Sequence, residues 1–245
     1  MSELQAYNPW PLLFKKTWDF KFEGSLKEKT ISSLKEADRF ITRQGIGTPE
    51  REGGVTSAVL DCSPTTPMPH QWPEFEQFGK FVLKTAKEIC GKWCLNKAAQ
   101  MACAKSWCNV HPQGGYTSEH NHHGVLIAVA AYLDVPPNSG NLLVKNPLNY
   151  HKFSEPLNPG YWSDPGVQDG LEWTPINVNT NDVLFFPGWL LHKTQRNAST
   201  ENRFVMSWNI SYTSNLELMI QTGMTGPGRG IDSNKGLVFK DVKHL

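Results

Sequence analysis

A change of hydrophobic period near residue 100 constrains the fold more than any other feature of this sequence. Before it, apolar residues recur at three- and four-residue steps, the spacing of helices that bury one face. After it come five short runs rich in β-branched, aromatic and small apolar residues, which predict strands at residues 101–111, 125–135, 141–145, 182–186 and 203–212. Two helices followed by many strands predict a mainly β fold, a sandwich or barrel with a helical layer on one face.

The first predicted helix begins at Ser25, where a glutamate three residues on completes the spacing of a capping box, and continues to about residue 42. The second begins at Pro73 and ends near Asn96. Its apolar stripe consists of Phe75, Phe78, Val82, Ile89 and Trp93. The segment 45–73 is dense in Gly, Pro, Thr and Ser, and we expect an irregular surface passage there.

The chain of 245 residues is long enough to bury one large β-rich core. We expect a single domain over residues 1–245. Within it, we expect 1–98 to form a helical and loop region packed on the barrel, 99–215 the barrel itself, and 216–245 a C-terminal tail.

Charge and hydropathy restrict the partners. Lys and Arg number 24 against 23 for Asp and Glu, so the net charge of +1 gives no attraction to nucleic acid or to an anionic membrane. No apolar run reaches the roughly 20 residues of a membrane span, and the N-terminus lacks a signal-peptide pattern. We therefore expect a soluble, cytoplasmic protein, in the host cytoplasm if it is viral. The oligomeric state cannot be inferred from the sequence.

The cysteine count of five is odd, which favours reduced thiols over a disulfide framework. Cys90 and Cys94 lie one helical turn apart and could share a metal, but no second close pair completes a zinc knuckle. Buried thiols are therefore the expectation.

A long connection, residues 147–175, carries five prolines and the aromatic residues Tyr150, Tyr161, Trp162 and Trp173. Structureless connections of this length are uncommon in compact domains and are often functional lids. We expect this one to close over a site.

Two histidines, His120 and His122, stand two residues apart, so on an extended strand both rings leave the same face. Two imidazoles leave a first-row metal short of ligands, and the predicted third is His192, which follows a strand and turn ending in Phe186 and Pro187. A lone histidine is usually an ordinary polar residue, and we expect that of His70, His111, His151 and His244.

The last predicted strand has a polar face and an apolar face. Arg203, Val205, Ser207, Asn209 and Ser211 share one side, whereas Phe204, Met206, Trp208, Ile210 and Tyr212 share the other. The apolar side should pack on the helices. Burying the polar side without partners would be unfavourable, so it should face a cavity, where Arg203 could grip a carboxylate through charge-assisted bonds. A solvent-facing strand is the ordinary alternative.

These segments together resemble a known family. The sequence "SWCNVHPQGGYTSEHNHHGVLIAVAAYLDVP", followed in order by "GNLLVKNP", "DVLFFPGWLLH" and "NRFVMSWNIS", is similar to 2-oxoglutarate- and Fe(II)-dependent oxygenases, in particular to a bacterial and phage branch related to prolyl hydroxylases. The resemblance spans about residues 105–212. It implies a double-stranded β-helix, the jelly-roll or cupin-like fold.

The resemblance also implies roles for the site residues. His120, His122 and His192 would bind Fe(II), while Arg203 and Ser207 would bind the distal carboxylate of 2-oxoglutarate. Tyr132 matches a tyrosine that bonds the same carboxylate in prolyl hydroxylases, and Asn109 would lie near the metal-proximal end of the cosubstrate. One departure is His122, which stands where the wider superfamily has Asp or Glu.

The implied activity is a dioxygenase that converts 2-oxoglutarate and dioxygen to succinate while hydroxylating a C–H bond, with ascorbate as a further candidate cofactor. A prolyl residue in a peptide, or free proline, is the expected substrate.

Two alternative functions stay open. The first alternative is a zinc-dependent hydrolase or hydratase on the same fold, because three histidines are also the ligand set of zinc hydratases. The other is a non-catalytic jelly-roll binding module.

Overall fold

The computed structural model describes residues 12–44, 53–62, 66–93, 95, 98–147 and 173–214. The helices are α1 (Gly24–Gln44), α2 (Glu76–Lys92) and three short 3-10 helices (Ser57–Cys62, Pro69–Gln71 and Pro73–Phe75). The strands are β1 (Phe14–Thr17), β2 (Val55–Thr56), β3 (Met101–His111), β4 (Ile127–Asp134), β5 (Leu142–Lys145), β6 (Trp173–Ile176), β7 (Asp182–Pro187), β8 (His192–Thr194) and β9 (Arg203–Tyr212).

The strands form two antiparallel sheets. The larger has the order β1-β7-β4-β9-β3-β2 and the smaller the order β6-β5-β8. From β4 onward the chain crosses repeatedly between them: β4 lies in the larger sheet, β5 and β6 in the smaller, β7 in the larger, β8 in the smaller and β9 in the larger. Apolar residues of both sheets share one cluster that includes Tyr132, Leu142 and Val205, so the sheets face each other. This is a jelly roll, and the predicted fold class is confirmed.

The helical layer covers the outer face of the larger sheet. Trp208 is 1% exposed and meets Phe75 and Phe78 edge to face, with ring centroids 6.3 and 5.2 Å apart. Phe204, Met206 and Ile210 belong to the same buried cluster. The predicted apolar face of β9 and the stripe on α2 therefore pack against each other.

The segment predicted as an irregular surface passage is partly ordered and partly buried. Its residues 53–62 and 66–73 contain β2 and 3-10 turns, and β2 pairs with the end of β3. Leu60 and Trp72 are buried, and the Trp72 indole donates to the Pro67 carbonyl at 3.0 Å. Gly and Pro correctly exclude a long helix here, but they do not exclude short turns held by neighbouring strands.

Three further expectations are corrected: the start of α1, the end of α2, and the place of Trp173. Helix α1 begins at Gly24, so Ser25 lies inside it, and α2 ends at Lys92 rather than near Asn96. Trp173, assigned to the lid, lies in β6, where Lys193 stands 4.2 Å from its ring centroid. The register places Trp173 on the side of the small sheet opposite Val144 and His192, so it points away from the interior.

Several expectations fall outside the described residues: the rest of the lid (148–172), the tail (216–245), His151, His244 and Cys94. Cys90, Cys103 and Cys108 are free and buried, as expected of reduced thiols. None of the described helices combines the length and apolar character that a membrane span requires.

Candidate metal centre

The three predicted imidazoles converge at one end of the jelly roll. His120 and His192 form an isolated β-bridge, each donating its backbone N–H to the carbonyl of the other at 3.0 Å. Their ring centroids lie 4.2 Å apart, and those of His122 and His192 lie 5.1 Å apart. One ring nitrogen from each of the three falls within 4.8 Å of the others, a group that could hold a metal ion.

The backbone that carries the pair differs from the expected strand. Only His120 is in a β-bridge, and His122 begins a turn. His122 is instead held by its backbone N–H, which donates to the Gly188 carbonyl at 2.8 Å. The turn after β7 therefore supports His122, while β8 supports His120.

Gly188 allows this close approach of two backbones. A Cβ there would lie 2.2 Å from the Val125 carbonyl oxygen and 2.9 Å from that of His122. Both are main-chain atoms, so a side chain at this position forces the two segments apart. The absence of a Cβ is what lets the turn carry His122 toward His192.

Replacing Gly188 with Ala should reduce metal affinity about 10-fold, the lower end of the loss seen when groups that orient metal ligands are disturbed. Calorimetric titration with Mn(II) measures this. Gly114→Ala is the control: its φ of 80° also disfavours a side chain, but a Cβ there would meet open space, and the residue lies outside this turn. Equal metal affinities of Gly188→Ala and the wild type would contradict the role of the turn.

Hydrogen bonds to the backbone fix the ring orientations of two of the three histidines. Nδ1 of His192 lies 2.8 Å from the Leu190 carbonyl and Nδ1 of His120 lies 2.9 Å from the Ser118 carbonyl. A carbonyl only accepts, so each Nδ1 carries the proton and each Nε2 keeps its lone pair for a metal.

The distance between ligand atoms suits a shared ion. Nε2 of His122 and Nε2 of His192 lie 3.3 Å apart. Two nitrogens each about 2.1 Å from one ion are separated by about 3.0 Å at a right angle and about 3.4 Å at the tetrahedral angle. Burial and then the neighbouring His120 lower the pKa of His192 to about 3, so its ring is neutral and competent to ligate at ordinary pH.

Arg203 lies in the interior at the other end of the site and is 0% exposed. Its guanidinium donates to the carbonyls of Ser139, Gly140 (3.0 Å) and Gln195 (3.4 Å), while its Nε has no partner. Across the described ranges no carboxylate pairs with it. Burial lowers the pKa of Arg203, because the charged form loses solvation, and an anionic partner would offset this loss.

Tyr132 accompanies Arg203 in the interior, where it is 2% exposed. Burial raises the pKa of its phenol, and the nearby Arg203 opposes that rise. The structure therefore brings together the two groups predicted to bind one carboxylate.

Ser207 and Asn109 form a separate pair, since the Asn109 carboxamide donates to the Ser207 hydroxyl at 3.2 Å. Four residues of strand separate Ser207 from Arg203, which corresponds to about 13 Å between their Cα atoms. The Arg203 guanidinium is moreover bonded to carbonyls of the loops around Gly140 and Gln195. Among the described residues, the Ser207 hydroxyl and the Arg203 guanidinium thus have different hydrogen-bond partners. The sequence pattern gives their shared face and their spacing but not the direction of the arginine side chain.

Trp107 is a site residue that we did not predict. Its ring centroid lies 5.7 Å from that of His122, and it shares the interior face of β3 with Asn109, two residues on. The period-two alternation that selected Asn109 also selects Trp107. The expectation that His111 and His70 are ordinary polar residues agrees with their contacts: His111 bonds Thr117 at 2.8 Å, and His70 bonds Ser106 at 2.8 Å.

Comparison with known proteins bears on the same region. Residues 105–209 match a family model described as "Putative 2OG-Fe(II) oxygenase". No curated protein matches the chain.

Three solved structures are among those similar to this chain. HygX from Streptomyces hygroscopicus, with nickel, 2-oxoglutarate and hygromycin B bound, is 13% identical (TM-score 0.47, covering 82% of this chain and 83% of that one). A Trichoplax adhaerens prolyl hydroxylase in complex with a hypoxia inducible factor peptide is 12% identical (TM-score 0.46, 84% and 86%). The carbocyclase SnoK from nogalamycin biosynthesis is 14% identical (TM-score 0.47, 90% and 88%). At this level of similarity they do not identify a substrate.

Proposed function

We propose that His120, His122 and His192 bind Fe(II) and that Arg203 and Tyr132 bind the distal carboxylate of 2-oxoglutarate. The match of residues 105–209 to the family model described as "Putative 2OG-Fe(II) oxygenase" supports this proposal. One observation carries this proposal. Three imidazole rings, of which that of His192 is neutral at ordinary pH, converge at one end of an interior whose other end holds a buried guanidinium with no carboxylate partner among the described residues. A metal ion and a dicarboxylate are the groups that such an interior fits.

The bound groups supply the oxidation: dioxygen and 2-oxoglutarate give succinate and carbon dioxide, and one oxygen atom enters a C–H bond of the substrate. The protein supplies placement and charge. Three neutral imidazoles leave the divalent ion its full charge, which a dianionic cosubstrate offsets. Arg203 balances the distal carboxylate and presents a planar fork that suits it.

Asn109 and Ser207 take a different role from the one that the resemblance implied for the serine. We place both beside the metal-proximal end of the cosubstrate, since they are bonded to each other and Ser207 pairs with Trp107, whose ring lies beside His122. Leu184, Phe186 and Leu142 line the same interior and are at most 2% exposed. This apolar lining keeps water from the reacting centre.

A prolyl group is the proposed substrate of the hydroxylation. The support is the resemblance of the strand segments to prolyl hydroxylases. The apolar and aromatic surroundings of the histidines, with Phe186 4.7 Å from His192 and Trp107 beside His122, suit an uncharged ring.

Replacing Tyr132 with Phe should weaken 2-oxoglutarate binding by about 0.5–1.5 kcal/mol, the contribution of one neutral hydrogen bond, and leave metal affinity unchanged. Calorimetry on the Mn(II)-loaded protein without oxygen turnover measures both. Tyr212→Phe is the matched control, because Tyr212 contacts Cys90 on the helical side of β9. If Tyr132→Phe and Tyr212→Phe bind 2-oxoglutarate equally well, Tyr132 does not contact the cosubstrate.

The activity itself is tested by metal analysis of protein purified without added metal, followed by a succinate-release assay. We expect Fe(II), but not Zn(II), to support conversion of 2-oxoglutarate to succinate in the presence of oxygen. A protein that binds Zn(II) tightly and binds no 2-oxoglutarate would be a hydrolase or hydratase instead. A protein that binds neither metal nor 2-oxoglutarate would be a non-catalytic module.

A further inference from the structure

A lysine lies on the interior face of β3, close to the histidines. Lys105 stands two residues before Trp107, so the two side chains leave the same face of the strand. Ser106, between them, faces the helical layer, where its hydroxyl accepts from the His70 backbone N–H at 2.8 Å. The Lys105 ammonium lies 5.7 Å from the centroid of the Trp107 ring, and that centroid lies 5.7 Å from the centroid of His122. A positive charge is therefore separated from the candidate metal centre by a single indole ring.

The pairing of β3 with β9 shows on which side of the histidines this lysine lies. Three residue pairs mark successive levels of the interior: Arg203 with His111, Ser207 with Trp107, and Asn209 with Lys105. The first level holds the guanidinium proposed to bind 2-oxoglutarate, and the second adjoins His122 through the Trp107 ring. Lys105 lies one step of two residues, about 7 Å, beyond the second level. The proposed cosubstrate extends from the histidines toward Arg203, so a substrate approaches the metal centre from the side of Lys105.

The Lys105 side chain can hold a ligand. It is half-buried, whereas Trp107 is 6% exposed and Arg203 is 0% exposed. An ammonium has three donors, so its contact with the Trp107 ring leaves it able to donate to an acceptor. Because aromatic neighbours solvate a charge less well than water does, an anionic acceptor is favoured over a neutral one.

The charge of the metal centre also favours an anion. Imidazoles that bind a metal are neutral, so a divalent ion with dianionic 2-oxoglutarate has no net charge, and Arg203 then adds one positive charge. The wider superfamily has a carboxylate ligand that would cancel this charge, but His122 stands in its place. Two acidic side chains adjoin this interior, Asp182 and Glu119, and each is paired with a lysine, at 2.7 and 3.0 Å. Among the described residues, the loaded centre thus keeps a surplus of positive charge before Lys105 is counted.

We propose that Lys105 binds a carboxylate of the substrate, so that the substrate is a small organic acid whose anionic group points away from Arg203. A carboxylate fits better than a phosphate. Phosphate sites commonly add backbone N–H groups from a helix N-terminus or a turn, whereas β3 and β9 use their backbone groups in the ladder between them. The inference rests on the proposed function and deepens it, because it names a charged group of the substrate.

The test compares an acid with its amide. The probes are cyclopentanecarboxylate and cyclopentanecarboxamide, which share a skeleton and differ in charge. Each is titrated, without oxygen, into full-length protein loaded with Mn(II) and saturating 2-oxoglutarate, so that the cosubstrate site is occupied. The wild type should bind the acid at least about 10-fold more tightly than the amide, as expected for a hydrogen bond to a charged group. Mn(II) should also broaden the ring-proton NMR signals of the bound acid, whereas Zn(II) should not.

Three variants connect the preference to the lysine. Lys105→Met removes the charge and keeps an unbranched side chain, so the acid-to-amide affinity ratio should fall to about one. Lys105→Arg keeps the charge and should retain most of the preference. Lys80→Met is the matched control, because Lys80 is an exposed lysine of α2, paired with Glu76 at 2.7 Å, and its loss should leave the wild-type ratio unchanged.

The outcomes distinguish this inference from the proposed function. Metal and 2-oxoglutarate affinities are measured first on every protein, and a wild type that binds neither would overturn the proposed function and this inference with it. With both affinities intact, three results overturn the inference alone: a wild type without preference for the acid, an acid bound without broadening by Mn(II), or a Lys105→Met protein that keeps the preference because the acid binds the ion directly. The wild-type ratio tests the inference even if a variant fails to fold.

Discussion

Replacing His192 with Ala is expected to lower the affinity for Fe(II) by at least about 100-fold, because even residues that merely orient ligands contribute 10- to 100-fold. His192 is central to the group: its ring is near both other imidazoles, and its Nδ1 is already used by the Leu190 carbonyl. Removal leaves two imidazoles, too few for a first-row ion to be held firmly. Metal content after dialysis measures the effect.

The matched control is His123→Ala, which removes an exposed imidazole one residue from His122. It should retain one metal ion per chain. Because His192 is buried against Phe186, His192→Gln is a second variant that preserves more of the side-chain volume. Far-UV circular dichroism should show the folded protein in all three variants. Stoichiometric iron in His192→Ala would show that the ligand assignment is wrong.

Replacing Arg203 with Ala is expected to weaken 2-oxoglutarate binding by about 1.5–3 kcal/mol, the contribution of a hydrogen bond to a charged group, while metal affinity changes little. The reason is that Arg203 is the buried cation of the interior and pairs with no carboxylate of the described chain. Calorimetric titration of the Mn(II)-loaded protein measures the change.

Arg203→Lys separates charge from geometry. Lysine keeps the positive charge but lacks the planar guanidinium that can donate two parallel hydrogen bonds. We therefore expect an affinity for 2-oxoglutarate between those of the wild type and Arg203→Ala. Arg39→Ala, on the exposed side of α1, is the control and should bind 2-oxoglutarate normally. Equal loss of metal and 2-oxoglutarate in Arg203→Ala would indicate general misfolding, because three backbone carbonyls lose their donor there.

Long strands with a clear alternation were predictable, whereas of the short strands only β5 was predicted, as residues 141–145. The bounds of β3 and β9 agree with the prediction because each pairs along almost its whole length and presents distinct faces. In contrast, β1, β2, β6 and β8 have two to four residues, too few to show a period. They exist because a neighbouring strand offers free hydrogen-bonding groups, which is a property of the fold and not of the segment.

The sequence predicts which residues form the candidate site better than it predicts how they are arranged. The convergence of His192 with the His120 pair was anticipated, but the bridge and turn that produce it depend on Gly188, whose role is visible only when two backbones meet. Likewise, the face shared by Arg203 and Ser207 was read correctly, whereas the distance between them requires the direction of the arginine side chain. Trp107 was overlooked because an aromatic residue in a strand is usually part of the core.

Because a β-bridge joins His120 and His192, the proposed ion would also stabilise the fold. The two ligands belong to segments that meet only after the barrel has closed, so an ion held by both acts as a removable cross-link between distant parts of the chain. Because this site forms only in the folded chain, ion binding favours the closed sheet edge by the free energy of binding. Depletion of the ion should therefore loosen this edge of the small sheet before it affects the helical layer.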